Sequence, residues 1–225
     1  MKRSEINRII REGIAFLEEM NFALPPFAFW APDEWERKGH EYDEIRDCML
    51  GWDVTDYALG DFEKTGLLVF TIRNGIAGSE VYYKEYAEKC LLVKNGQKTP
   101  MHFHYYKMED IINRGGADLL IQVYGSTQEE GLSEAPVEVF MDGRCFMTAA
   151  GSVLRLKPGE SITLPPRQYH EFWAEGGPAL IGEVSKVNDD NTDNHFYEGM
   201  ARFPEIDEDE AKEYLLFSEY PICNA

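Results

Sequence analysis

No apolar run in the 225 residues approaches the roughly 18 that a membrane-spanning helix needs, so a membrane-embedded role is not expected. Cysteine is sparse. Cys48, Cys90, Cys145 and Cys223 lie far apart and form no CxxC pair, which excludes a zinc ribbon and a dense disulfide framework and leaves reduced, mostly buried thiols. Positive charge is also short: 22 Lys and Arg stand against 41 Asp and Glu, for a net charge of −19. Such a surface repels phosphate backbones and anionic lipid, so neither nucleic acid nor a membrane is an expected partner. No internal repeat, low-complexity tract or linker is visible. The N-terminus, MKRSEINRIIREGIAFLEEM, starts basic but has no continuous apolar stretch and no small-residue cleavage site. It reads as an amphipathic helix rather than a signal peptide, and the expected location is the cytoplasm.

What is present is enough apolar matter for a core, with 44% hydrophobic and 13% aromatic residues. Residues 3–20 fit one helix, with Ser4 placed to cap it and Ile6, Ile9, Ile10, Ile14 and Leu17 at helical spacing. The segment LPPFAFW at 24–30 is stiffened by proline and cannot be helical, and a charged second helix is expected within 33–48. From about residue 66 the pattern turns to strands. Asn74-Gly75, Asn95-Gly96, Asp142-Gly143 and Pro158-Gly159 mark turns, the clearest being the hairpin VEVFM-DG-RCFMT. Many short strands with turns at close intervals predict a mostly β fold, a jelly-roll sandwich or barrel. The tail from Asp207 to Phe217 reads as a helix. The economical organisation is a single domain over 1–225, with a barrel core at about 66–190, an N-terminal helical extension over 1–60 and a C-terminal extension over 191–225.

Histidine is rare enough to be informative: only His40, His102, His104, His170 and His195 occur. In the apparent strand PMHFHYY, residues two apart share a face, so His102 and His104 point the same way. Glu109 follows at the start of the next strand, and His170 follows a Pro-Pro corner in LPPRQYHEFW. Three imidazoles and a carboxylate suit Mn, Fe, Co, Ni or Zn. The full spacing sharpens the reading. Gly96, His102, His104, Glu109 and Gly116, then Gly159, Pro165 and His170, resemble the two motifs of cupins, in which the corresponding histidines and glutamate bind one metal inside a small β-barrel. The resemblance implies His102, His104, Glu109 and His170 as metal ligands. Arg167 and Ala174 stand where the second motif usually has glycine and asparagine, and neither position supplies a ligand.

Longer stretches resemble the D-lyxose isomerase family: KNGQKTPMHFHYYKMEDIINRGG, GEVSKVNDDNTDN, LPPFAFWAPDEW and ARFPEIDEDE. The resemblance spans nearly the whole chain. It implies a cupin barrel with N- and C-terminal helices, a divalent metal, foremost Mn2+ with Co2+, Zn2+ or Fe2+ as alternatives, and a homodimer. It further implies interconversion of D-lyxose with D-xylulose, and of D-mannose with D-fructose. Such a shift moves a proton between C1 and C2 through a metal-stabilised enediol or enediolate, with a carboxylate carrying the proton and an ammonium assisting at oxygen. The expected carboxylate is Glu208 or Glu183. Glu183 is the more pointed, because an acid in the apolar strand ALIGEVSKV needs a partner or a task. Lys107 joins the catalytic set, with Lys89, Asp190, Tyr106 and Phe172 expected to bind substrate, the last two by strand alternation. The rival readings are an iron-dependent cupin oxygenase with the same ligands, a phosphosugar isomerase, which would want a denser Arg/Lys cluster, and a non-catalytic sugar-binding cupin.

Overall fold

The structure is a computed structural model that describes residues 1–223. Its helices are α1 (Arg3–Glu19), α2 (Pro32–Trp35) and α3 (Asp43–Asp47). Its strands are β1 (Gly51–Thr55), β2 (Leu67–Arg73), β3 (Tyr86–Val93), β4 (His102–His104), β5 (Glu109–Ser126), β6 (Leu132–Ser133), β7 (Val137–Met141), β8 (Arg144–Thr148), β9 (Val153–Leu156), β10 (Ser161–Leu164), β11 (Tyr169–Lys186) and β12 (Asn194–Phe196).

α1 forms where its apolar spacing predicts, and it buries Ile6, Ile9, Ile10 and Leu17. Its N-terminus is held differently from the expectation. Lys2, not Ser4, is the N-cap and makes no side-chain cap. The Ser4 backbone N–H and hydroxyl both donate to the Asp209 carboxylate, at 2.9 and 2.8 Å. A carboxylate from the chain's other end thus satisfies a free helical donor and meets the positive end of the helix dipole. The expected helix at 33–48 is broken into α2 and α3, with a 3-10 turn at His40–Tyr42, after Lys38-Gly39. The expected helix at 207–217 does not form. Its backbone is held along α1 instead: the Arg3 N–H donates to the Asp207 carbonyl, and the Asn7 side-chain amide to the Ala211 carbonyl.

The strands are mostly where the turn signals put them. Asp142 and Gly143, at φ 48° and 77°, make the two-residue turn between β7 and β8. Asn74 does not. Its buried side chain ties the Cys48 and Asn188 carbonyls together, and a longer loop follows before β3.

The closed barrel is not what the chain builds. Strands pair in the order β1-β2-β3-β11-β5-β10-β7-β8, and β1 and β8 end that path without pairing to each other. The cause lies in β5 and β11, 18 residues each, which pair along almost their whole length. Each long strand then serves two sets of neighbours: β11 takes β3 on one half and β4 on the other, and β5 takes β10 and β9. The result is an open, branched sheet. The C-terminal tail meets β1 by a bridge between Trp52 and Leu216.

Two apolar clusters lie against this sheet. One gathers Val69, Leu91, Ile111, Leu119, Val139, Leu156, Ile162 and Phe172. The other packs α1 against Trp52, Leu68, Phe70 and Leu92. Residues of β2 and β3 alternate between them, as period-2 strands with both faces covered must.

Candidate active site

β11 supplies two parts of the site, and a bulge makes that possible. His170, Phe172 and Ala174 are buried at even positions, whereas Ala179, Ile181 and Glu183 are buried at odd ones. The register shifts between Glu175 and Ala179, at Gly176-Gly177-Pro178, where β11 carries two residues more than β5, and again between Leu180 and Ile181, where β5 carries one more; the net shift of one residue exchanges the faces. His170 pairs with His102 on β4, Glu183 pairs with Lys89 on β3, and Glu109 opens β5 opposite Ser185. One cavity is lined by His102, His104, His170, Glu109, Lys107, Glu183, Lys89 and Asp190, with Phe172, Phe196, Tyr57, Asn194 and Arg202.

The three histidines bring their ring nitrogens within 4.8 Å of one another. The Nδ1 atoms of His102 and His170 lie 2.8 and 3.1 Å from the Pro100 and Gln168 carbonyls, contacts that require N–H there and leave the Nε2 lone pairs bare. Glu109 Oε1 lies 3.1 Å from His170 Nε2 and 3.3 Å from His104 Nε2, yet it is buried without a well-directed hydrogen bond. Burial, then the neighbouring His170 and His104, pushes His102 well below its usual range, and burial and Lys107 lower His104. Burial alone would raise the Glu109 carboxyl, but Lys107 and His104 hold it well below the carboxylate range. Neutral His102 and His104, the Glu109 anion and His170 Nε2 therefore converge on one point. That arrangement repels itself unless a cation sits there, and the 3.1 and 3.3 Å from Glu109 Oε1 to the two imidazole nitrogens suit ligand atoms around an ion at about 2.1 Å. The site is able to coordinate a divalent metal ion.

Beside it runs a buried ladder of charge. Lys107 Nζ lies 2.8 Å from Glu109 Oε2 and 2.8 Å from Glu183 Oε1, and 3.2 Å from Asn188 Oδ1. Burial would lower the Lys107 ammonium, but Glu109 and Glu183 outweigh it and raise it, so Lys107 stays charged and can only donate. Glu183 Oε1 also accepts from the Ser185 hydroxyl at 3.2 Å, whereas Oε2 takes no hydrogen bond from the described residues. Lys89 Nζ stands 3.7 Å from Glu183 and 3.8 Å from Asp190, too far for hydrogen bonds, and so keeps donors for a ligand. Burial would raise Asp190, but Lys89 and Arg202 hold it far below its usual range.

Of the residues expected from sequence, His102, His104, Glu109, His170, Lys107, Glu183, Lys89, Asp190 and Phe172 come together here. Two do not. Glu208 grips the buried Arg3 with both oxygens at 2.9 Å, on the α1 side of the molecule. Tyr106 is 79% exposed: β4 ends at His104, alternation stops with it, and the Tyr106 N–H is tied to Asp193 instead. Arg202, Asp53 and Tyr57 were not expected. Asp53 carried the same signal as Glu183, an acid inside an apolar strand, GWDVT. Arg202 is the one basic residue beside five acids in the stretch ARFPEIDEDE.

Comparison with known proteins agrees with this chemistry. The sequence model of the D-lyxose isomerase family matches residues 1–220. D-lyxose/D-mannose isomerases of Serratia proteamaculans and Escherichia coli O157:H7 are each 46% identical over 223 residues, covering 98% of both chains. Among solved structures, L-ribose isomerase of Acinetobacter sp. DL28 in complex with L-ribose has a similar fold, with a TM-score of 0.62 and 13% identity over 92% of this chain and 98% of that one. L-ribose isomerase of Cellulomonas parahominis follows at 0.56 and 15%, with the same coverage. With a family match over almost its full length and two relatives far above the level of chance, the chain belongs to the D-lyxose isomerase family.

Proposed function

We propose that this chain is a metal-dependent aldose–ketose isomerase of lyxose- and mannose-type sugars, interconverting D-lyxose with D-xylulose and D-mannose with D-fructose. Its family and its similarity to D-lyxose/D-mannose isomerases support the substrate class. The observation that carries the chemistry is Glu183 Oε2, a carboxylate oxygen without a donor among the described residues, in a cavity shared with a cation-demanding histidine cluster.

A divalent ion held by His102, His104, Glu109 and His170, for which we favour Mn2+, supplies Lewis-acid stabilisation of charge on the sugar oxygens. The chain's own groups do the rest. Glu183 takes the proton from C2 of the aldose and returns it to C1. The hydroxyl proton on O2 leaves and O1 gains one, so the sugar keeps its formula. Lys107 fixes Glu183 through Oε1 and leaves Oε2 free to work. Lys89 donates to a sugar oxygen, Asp190 orients Lys89, and Phe172 gives the cavity an apolar wall that excludes water. The chain works as one unit over 1–225, because its tail is bonded to α1 and bridged to β1. A homodimer in the cytoplasm is the proposed working form. No helix is long and apolar enough to cross a membrane among the described residues.

The test follows D-lyxose conversion in deuterated water by unaltered protein and by Glu183→Gln. The unaltered protein forms D-xylulose carrying some solvent deuterium at C1. Glu183→Gln loses roughly 10²- to 10⁴-fold in kcat while still binding metal. A Glu183→Gln protein within threefold of the parent removes Glu183 from the reaction. Absence of ketose from lyxose and mannose in the parent itself overturns the isomerase reading.

A further inference from the structure

The charge ladder does not stop at Asp190. Arg202 Nη2 lies 3.4 Å from Asp190 and 2.5 Å from Asp53, and Arg202 lines the cavity beyond Lys89. From the histidine end the contacts run Glu109, Lys107, Glu183, Lys89, Asp190, Arg202, Asp53, alternating in sign throughout. We propose that Arg202 and Asp190, with Asp53 behind them, form the subsite for the terminal hydroxymethyl carbon of the sugar and select neutral sugars over sugar phosphates. This rests on the isomerase reading above.

Three observations argue for it. First, Arg202 Nη1 is buried without an acceptor, and the close approach of Asp53 to Nη2 leaves Asp53 Oδ2 without a well-directed hydrogen bond. Buried donors are rarely left so, and a ligand oxygen at Arg202 removes the cost. Asp190, facing the same cavity, is an ionised acceptor. A hydroxyl both accepts and donates, so one –CH2OH group can take Nη1–H from Arg202 and give its proton to Asp190. Second, the end is built rigidly. The Thr55 hydroxyl donates to the Arg202 carbonyl at 2.7 Å and accepts the Tyr57 N–H at 2.9 Å. Tyr57 and Ala58 are held left-handed, at φ 54° and 58°, and the buried Tyr57 faces the cavity. Such backbone conformations cost free energy and persist where the surroundings impose them. Third, charge decides the class of ligand. Arg202 is already flanked by two carboxylates, so a terminal phosphate would bring further negative charge against Asp53 and Asp190. A hydroxyl brings none.

The experiment compares the metal-loaded full-length protein on D-mannose, 6-deoxy-D-mannose and D-mannose 6-phosphate, with Arg202→Met alongside. The proposal expects the parent to favour mannose over its 6-deoxy analogue by about tenfold or more in kcat/KM, because a site built for a hydroxyl rejects the analogue that lacks it. It also expects negligible turnover of the phosphate. In Arg202→Met the preference for mannose over the deoxy sugar falls to about unity, through a raised KM for mannose more than a lowered kcat. Arg202→Lys keeps a cation between the two acids and replaces Arg202→Met if the latter does not fold; it should show the same loss of preference. Equal use of mannose and 6-deoxymannose by the parent, a preference that survives in the variants, or ready turnover of the phosphate each overturns the proposal. If the parent converts no sugar, the isomerase reading has failed separately. Calorimetric binding of mannose against 6-deoxymannose to parent and variant then judges the subsite by the same ratio.

Discussion

Lys107 shows how one side chain organises the site. It holds Glu109 by one oxygen, so the other turns to the histidines, and it holds Glu183 by one oxygen, so the other stays free. Glu208 is the contrasting case. Its bonds to Arg3 lower its carboxyl below the usual 4.5, the Arg3 hydrogen bond being the largest cause. A depressed carboxylate contributes stability that is present above its unfolded value and is lost as pH falls through its folded value. Glu208→Gln should therefore cost about 1 kcal/mol or less near neutral pH, since the side chain is 48% exposed. The difference from the parent should begin to shrink as pH falls below the unfolded value of about 4.3 and vanish only below the depressed folded one, where the carboxylate is protonated in both states, and kcat should not change. Chemical denaturation across pH, with turnover measured beside it, checks both; a large loss of kcat would return Glu208 to the reaction. At this scale the sequence was informative where a residue was rare or out of place. Histidine is scarce, and Glu183 is an acid in an apolar strand. It was silent about Arg202, whose partners Asp53 and Asp190 are distant along the chain and meet it only after folding.

Among the elements, local rules located strands and turns well and longer-range order poorly. Asp142-Gly143 forms its turn because both positions need positive φ, and the hairpin contributes no residue to the cavity. Gly143→Val should cost about 1–2 kcal/mol by forcing a β-branched residue left-handed, seen as a lower melting temperature with unaltered kcat/KM. A variant as stable as the parent would show that the turn is not held to that conformation. The expected helix at 207–217 has helical composition, but α1 claims its backbone and Asp209; the one expected within 33–48 is interrupted at Lys38-Gly39, whose carbonyls accept from the Arg46 side chain. The 18-residue β5 and β11 each run through a glycine pair, Gly115-Gly116 and Gly176-Gly177, a residue disfavoured inside strands, so neither is legible as one long strand. Without those long strands the open, branched sheet could not be told from a closed barrel. With them, one strand carries both a histidine of the metal cluster and the free carboxylate.

Across the whole molecule, a net charge of −19 coexists with a cavity in which acids and bases nearly cancel. Glu109, Glu183, Asp190 and Asp53 face Lys107, Lys89 and Arg202, which leaves a net negative site before a divalent ion enters. Such a balance favours a neutral polyol over an anionic ligand. The central claim is that the histidine cluster and Glu109 hold the ion on which this chemistry depends. It is tested most directly by stripping the protein with chelator, titrating Mn2+ back while following both bound metal and D-xylulose formed from D-lyxose, and running His102→Ala in parallel. The account predicts one tightly bound ion per chain, ketose formation that rises with its occupancy, and neither in His102→Ala. Ketose formation by the stripped protein, or one tightly bound ion and full turnover in His102→Ala, would contradict it.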